Sequence, residues 1–145
     1  MRATSDPTHD HPQHDYRRCH GRPPSCIHLT VRGPAGQEQE VEAIIDTGFD
    51  GWLSLPSSLV VRLGLVWRRR GRALLADGSE SVFDIYEATV DWDGRARRIP
   101  VDEAETFPLV GMSLLEGYEL KVQVQRGGNV TVRALLQAKS GSPSV

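Results

Sequence analysis

The tripeptide Asp46-Thr47-Gly48 follows directly on the apolar run Ala43-Ile44-Ile45. A carboxylate at the end of such a run is costly to bury unless something satisfies it. Two readings are open for it. In one, Asp46 starts an exposed turn in which Gly48 takes positive φ. In the other, the carboxylate sits on a rigid, water-poor support and does general acid–base work. Such work is favoured when a second carboxylate lies so close that the two share one proton. The triplet alone is a weak signal, since ordinary residue usage produces it by chance in about a few per cent of chains this long.

Other clusters carry less chemistry. Cys19 and Cys26 do not make a disulfide framework. With His20 and His28 they match no zinc spacing, because Cys19 and His20 are adjacent rather than separated by a short loop. The stretch His9-Asp10-His11-Pro12-Gln13-His14 would hold a metal ion only weakly, so no metal and no other cofactor is expected. Two arginine runs, Arg68-Arg69-Arg70-Gly71-Arg72 and Arg95-Ala96-Arg97-Arg98, read first as solvated strand ends or loops. Their functional alternative is a site for an acidic substrate or for phosphate. A net charge of −2 gives no whole-chain argument for nucleic acid. A small barrel binding single strands would also need evenly placed aromatic platforms, which are missing.

The elements that must position Asp46 are mostly strands. With 145 residues, 39% apolar and 25% charged, the chain suits one globular domain. Ile27, Leu29 and Val31 alternate with polar residues, and 41–45 reads as a second strand with a buried end. A short strand over 52–56 follows. Ser57 is then expected to cap a helix carrying Leu59, Val60 and Leu63, closed by Gly64. Hairpins are expected over 72–86, turning at Asp77-Gly78, and over 88–101, turning at Asp93-Gly94. A short helix over 112–116 ends at Gly117, and strands over 120–124 and 130–135 complete the pattern. No long helix separates the strands, so a parallel βαβ architecture is not expected. Residues 1–25 read as a disordered tail, 26–136 as the domain and 137–145 as a flexible C-terminal tail. No apolar run approaches the roughly 20 residues that span a bilayer. The N-terminus has no apolar leader core either, so no membrane association and a cytoplasmic location are expected.

The segment from Ala43 through Asp46-Thr47-Gly48-Phe49 to Leu53-Ser54-Leu55-Pro56 resembles the catalytic loop of the clan AA, or retropepsin-like, aspartic proteases, particularly the short bacterial type. Leu109-Val110-Gly111, ahead of Met112-Ser113-Leu114-Leu115, is similar to the family's second landmark, an apolar-apolar-glycine element before a short helix. Ala76-Asp77-Gly78-Ser79 matches the tip of its flap hairpin, with Asp77 lying 31 residues after Asp46. The landmarks fall in the family's order across about residues 27–133.

The resemblance implies a mainly β fold, a small closed barrel with one or two short helices. It also implies an aspartic endopeptidase acting on a peptide or protein substrate. In the family, one carboxylate of a pair takes a proton from the attacking water while the protonated partner polarises the scissile carbonyl. The threonine, here Thr47, bonds across to the partner loop. Gly48 lets its N–H approach the Asp46 carboxylate. One chain supplies one triplet, and Asp77-Gly78-Ser79 lies too close in sequence to begin a second lobe. A homodimer is therefore implied, with the strands over 120–124 and 130–134 as candidates for its sheet. Phe49 and Trp52 either line substrate subsites or pack in the core. The alternative function is a catalytically weak or inactive protease-like domain that binds peptides or mediates assembly.

Overall fold

The computed structural model describes residues 26–136. The expected tails, the histidine-rich stretch, Cys19 and His20 lie outside these residues. Among the described residues, nine strands and two short helices form in the order β1 (Cys26–Arg32), β2 (Glu38–Ile45), β3 (Leu53–Leu55), α1 (Ser57–Arg62), β4 (Val66–Leu74), β5 (Glu80–Trp92), β6 (Arg95–Glu103), β7 (Leu109–Val110), α2 (Met112–Leu115), β8 (Tyr118–Val122) and β9 (Val130–Ala134). None of the helices among the described residues is long and apolar enough to cross a membrane.

Seven strands join in the order β1-β2-β7-β3-β6-β5-β4. A further pairing of Val31 with Val90 and Arg32 with Thr89 brings β1 back to β5, which closes a six-stranded ring. Arg32 clamps this seam through a bidentate ion pair to Asp91, at 2.7 and 2.6 Å. Strand β4 hangs on β5 outside the ring, and β8 and β9 form a separate two-stranded ribbon. The mainly β fold with two short helices is the one expected from the sequence.

Alternation fills the ring. Ile27, Leu29 and Val31 of β1 and Val41, Ala43 and Ile45 of β2 point inward and are buried. One inward row runs straight across the sheet through Ile45, Val110, Leu53 and Val101 in register. Val110, Leu53 and Val101 are each 0% exposed. Deleting side chains here would leave cavities that these short strands cannot collapse.

Three local expectations need correction. The two hairpins share one 13-residue strand, β5, which pairs with β4 on one edge and β6 on the other. Strand β4 also extends back to Val66, so it takes in the whole first arginine run. The pull is cross-strand charge, with Arg68, Arg70 and Arg72 facing Glu87, Asp84 and Glu80 on β5. Finally, Ser57 does not cap α1. Pro56 occupies the N-cap without a side-chain bond, and the Ser57 N–H donates instead to Glu105 Oε1 at 3.0 Å. Gly64 takes φ +59° just past the helix, as expected for a terminal glycine.

Candidate active site

Asp46 is the first residue after β2. Its N–H donates to the Val110 carbonyl at 2.9 Å, which continues the parallel pairing of β2 with β7 one step past the strand. The chain then folds back, with the Phe49 N–H donating to the Asp46 carbonyl at 3.1 Å. The Gly48 N–H reaches Asp46 Oδ1 at 2.9 Å. Gly48 does not take positive φ. A Cβ there would lie 3.3 Å from Asp46 Oδ1, so glycine gives room to the carboxylate rather than a left-handed turn. Asp46 is half-buried, whereas Thr47 and Gly48 are exposed.

The loop over 46–52 is clamped by the start of α2. The first N–H groups of a helix have no partner inside it. Here the loop supplies them: Gly111 N–H donates to Trp52 O at 3.0 Å, Met112 N–H to Phe49 O at 2.8 Å and Ser113 N–H to Gly51 O at 3.1 Å. The Ser113 hydroxyl adds a bond to the Asp50 carbonyl. This explains why α2 needs no side-chain cap. It also brings Leu109-Val110-Gly111 and Asp46-Thr47-Gly48, 61 or more residues apart in the chain, into one hydrogen-bonded unit.

Phe49 lies against two glycines of that unit. A Cβ on Gly51 would meet Phe49 Cζ at 2.6 Å, and one on Gly111 would meet Phe49 Cδ1 at 2.6 Å. Trp52 packs on the core and carries the Arg97 guanidinium 5.2 Å from its ring centroid. Ala76, Asp77, Gly78 and Ser79 sit in an exposed loop at the tip of the β4–β5 hairpin. Only Gly78 has positive φ there, and the loop spans 75–79 rather than two residues. Its shape comes from Asp77, whose carboxylate accepts both the N–H and the hydroxyl of Ser79. Those bonds pull the Asp77 pKa below the usual aspartate range. Among the described residues no hydrogen bond joins this tip to the Asp46 loop.

One carboxylate near the loop was not foreseen from the sequence. Asp102 of β6 places Oδ2 3.2 Å from where a Gly51 Cβ would stand. Burial raises its pKa above the ordinary value of 3.8, and the charge of Arg69 partly opposes this. The ionised form is therefore disfavoured in the native state relative to the unfolded chain. The penalty is absent below the unfolded pKa, grows as pH rises towards the folded value, and is complete above it. Asp102→Asn should raise the thermal midpoint at pH 7, and the gain should vanish as pH falls below the ordinary aspartate range. Melting both proteins from pH 3 to pH 7 checks this; a gain that is constant with pH contradicts it.

Among the described residues no group of three or more His, Cys, Asp and Glu side chains could hold a metal ion. Cys26 is disulfide-bonded, and His28 Nδ1 stands 3.4 Å from Glu40 Oε1.

The fold and loop thus define a closed β sheet carrying an Asp-Thr-Gly bend braced on a glycine-led helix. No family model matches the chain, and no curated protein matches it. Among solved structures the chain is similar to the EIAV protease complexed with the inhibitor HBY-793. The identity is 16%, the TM-score is 0.47, and the match covers 69% of this chain and 91% of that one.

Proposed function

We propose that the protein is an aspartic endopeptidase that works as a homodimer, each subunit contributing Asp46. The observation that carries this reading is the bracing of Asp46-Thr47-Gly48 by Val110, Gly111, Met112 and Ser113. These are the two landmarks of the family resemblance, and together they fix a half-buried carboxylate at the end of a rigid strand pair. A lone carboxylate is a poor base for water. Two in contact share a proton, and the ionised one then activates water while the other protonates or polarises the carbonyl. Each proton transfer of this kind contributes about 10²–10⁴-fold.

The exposed Thr47 hydroxyl bonds nothing among the described residues and would, in the proposed dimer, bond to the partner's loop. The ribbon of β8 and β9 leaves Val122 38% exposed, with Val124 90% exposed just beyond it. This ribbon, whose inner face packs on the core through Val130 and Val132, is the proposed place for subunits to add strands to one another. The hairpin tip over 76–79 would serve as the flap that excludes water from bound substrate. Replacing Asp46 and assaying peptide cleavage tests the proposal. Cleavage that persists in the purified variant would remove Asp46 from the chemistry. Peptide binding without any cleavage by the native protein would favour a binding module.

A further inference from the structure

The strand register draws a second row across the sheet, on the face opposite the core. It runs Ile44, Leu109, Ser54, Asp102, Ile85, Arg69, each residue the direct partner of the next, over six strands. It begins two residues before Asp46 and ends on the flap hairpin. Within it, Ser54 is 3% exposed, Ile85 is 6% exposed, and Asp102 is half-buried between them. Phe49 and Gly51 come over this row from the Asp46 loop, since the same point beside Gly51 lies 2.6 Å from Phe49 Cζ and 3.2 Å from Asp102 Oδ2.

The Asp102 carboxylate accepts no hydrogen bond and has no cation within 4.0 Å among the described residues. Arg69 follows Ile85 in the row, its backbone two strands or roughly 10 Å from that of Asp102, and its charge acts on the carboxylate from beyond ion-pair distance. Among the described residues Arg68, Arg70 and Arg72 each have a carboxylate within 4.0 Å on β5, whereas Arg69 has none that close and acts on Asp102 at longer range. A partly desolvated carboxylate without a donor is an unmet demand beside a candidate active site. The walls around it suit a long cationic side chain. The Phe49 ring offers apolar surface for methylenes, and the carboxylate stands beside it.

We propose that Asp102 is the specificity-determining residue of a subsite beside the Asp46 loop, accepting the ammonium or guanidinium of a substrate lysine or arginine. This rests on the reading of Asp46 as a peptide-cleaving residue. Arg69, at the far end of the row, tempers the selectivity by competing for the same carboxylate.

The test uses peptide pairs that differ only in lysine against norleucine, stepped through each position around the cleaved bond. Cleavage is measured with the native protein, and binding is measured with the Asp46→Asn variant. The expected result is one position where lysine is preferred by about tenfold or more in both readouts. That preference should fall to about unity in Asp102→Asn and in Asp102→Ser, and rise in Arg69→Gln. No lysine preference at any position in either readout, or a preference that survives both Asp102 changes, overturns the inference. Peptides bound with the Asp102-dependent preference but never cleaved would uphold this subsite and overturn the hydrolase reading.

Discussion

Asp46→Asn should abolish peptide cleavage, lowering kcat/KM by at least about 10³-fold, while leaving the fold intact. The size of the loss follows from removing the ionisable group through which both proton transfers pass. The small structural cost follows from local bonding. Among the described residues, the Asp46 side chain accepts one bond, from the Gly48 N–H at 2.9 Å, and an asparagine oxygen can accept it equally well. The Asp46 N–H bond to Val110 O is a backbone bond and does not change. Thermal midpoints within about 2–3 °C of one another are expected. Measuring cleavage and melting on the same preparations separates lost chemistry from lost structure.

Gly111→Ala should produce the opposite pattern, losing structure and activity together. A Cβ at this position would stand 2.1 Å from the Gly51 carbonyl oxygen and 2.6 Å from Phe49 Cδ1. The first of these is backbone, so no side-chain rotation relieves it. Either Gly51 or Gly111 must move. The two are tied through Gly111 N–H to Trp52 O, Met112 N–H to Phe49 O and Ser113 N–H to Gly51 O. Opening that clamp loosens the loop that carries Asp46 and uncovers N–H groups of α2. A loss of about 2–4 kcal/mol is expected, or roughly 10–20 °C in thermal midpoint. The folded fraction should still cleave far more slowly, because small displacements of a reacting group cost large factors in rate. Thermal melts alongside kcat, corrected for the folded fraction, check this. A variant with native stability and native kcat would show that the loop can shift freely.

The features legible in the sequence are those set by neighbours in the chain. Ile27, Leu29 and Val31 announced an inward face by alternation, and they occupy it. Asp93-Gly94 announced a tight turn, and both residues take positive φ, at 52° and 74°. Gly117 ended its helix at φ +86°. The Asp46 and Gly111 segments were legible only because a family pattern joins them; nothing local says that they meet.

The features that escaped were set by pairing between distant strands. Asp102 reads locally as the polar half of an alternating strand. Only the parallel register of Leu53–Leu55 against β6 turns it towards the Asp46 loop. The arginine run on β4 read as a solvated strand end or loop because its charges are dense, and it lies instead within a strand paired along β5, whose Glu80, Asp84 and Glu87 face the arginines from 8 or more residues away. Ser57 had the chemistry of a helix cap, but the helix starts one residue earlier than that reading needs: Pro56 holds the N-cap, its carbonyl accepts from the Leu59 and Val60 N–H groups, and the Ser57 N–H goes to Glu105, 48 residues on. Trp52 was read as either a subsite wall or core packing, and it packs on the core beneath Arg97.

The pairing of two Asp46 carboxylates across subunits is tested most directly by subunit mixing. Native and Asp46→Asn chains are unfolded, combined in known ratios at fixed total concentration, refolded together and assayed. If both carboxylates of a dimer must be aspartate, activity falls as the square of the native fraction, to about one quarter in an equal mixture. A linear fall, to about one half, would mean that each chain hydrolyses peptides by itself and would contradict the shared-proton mechanism.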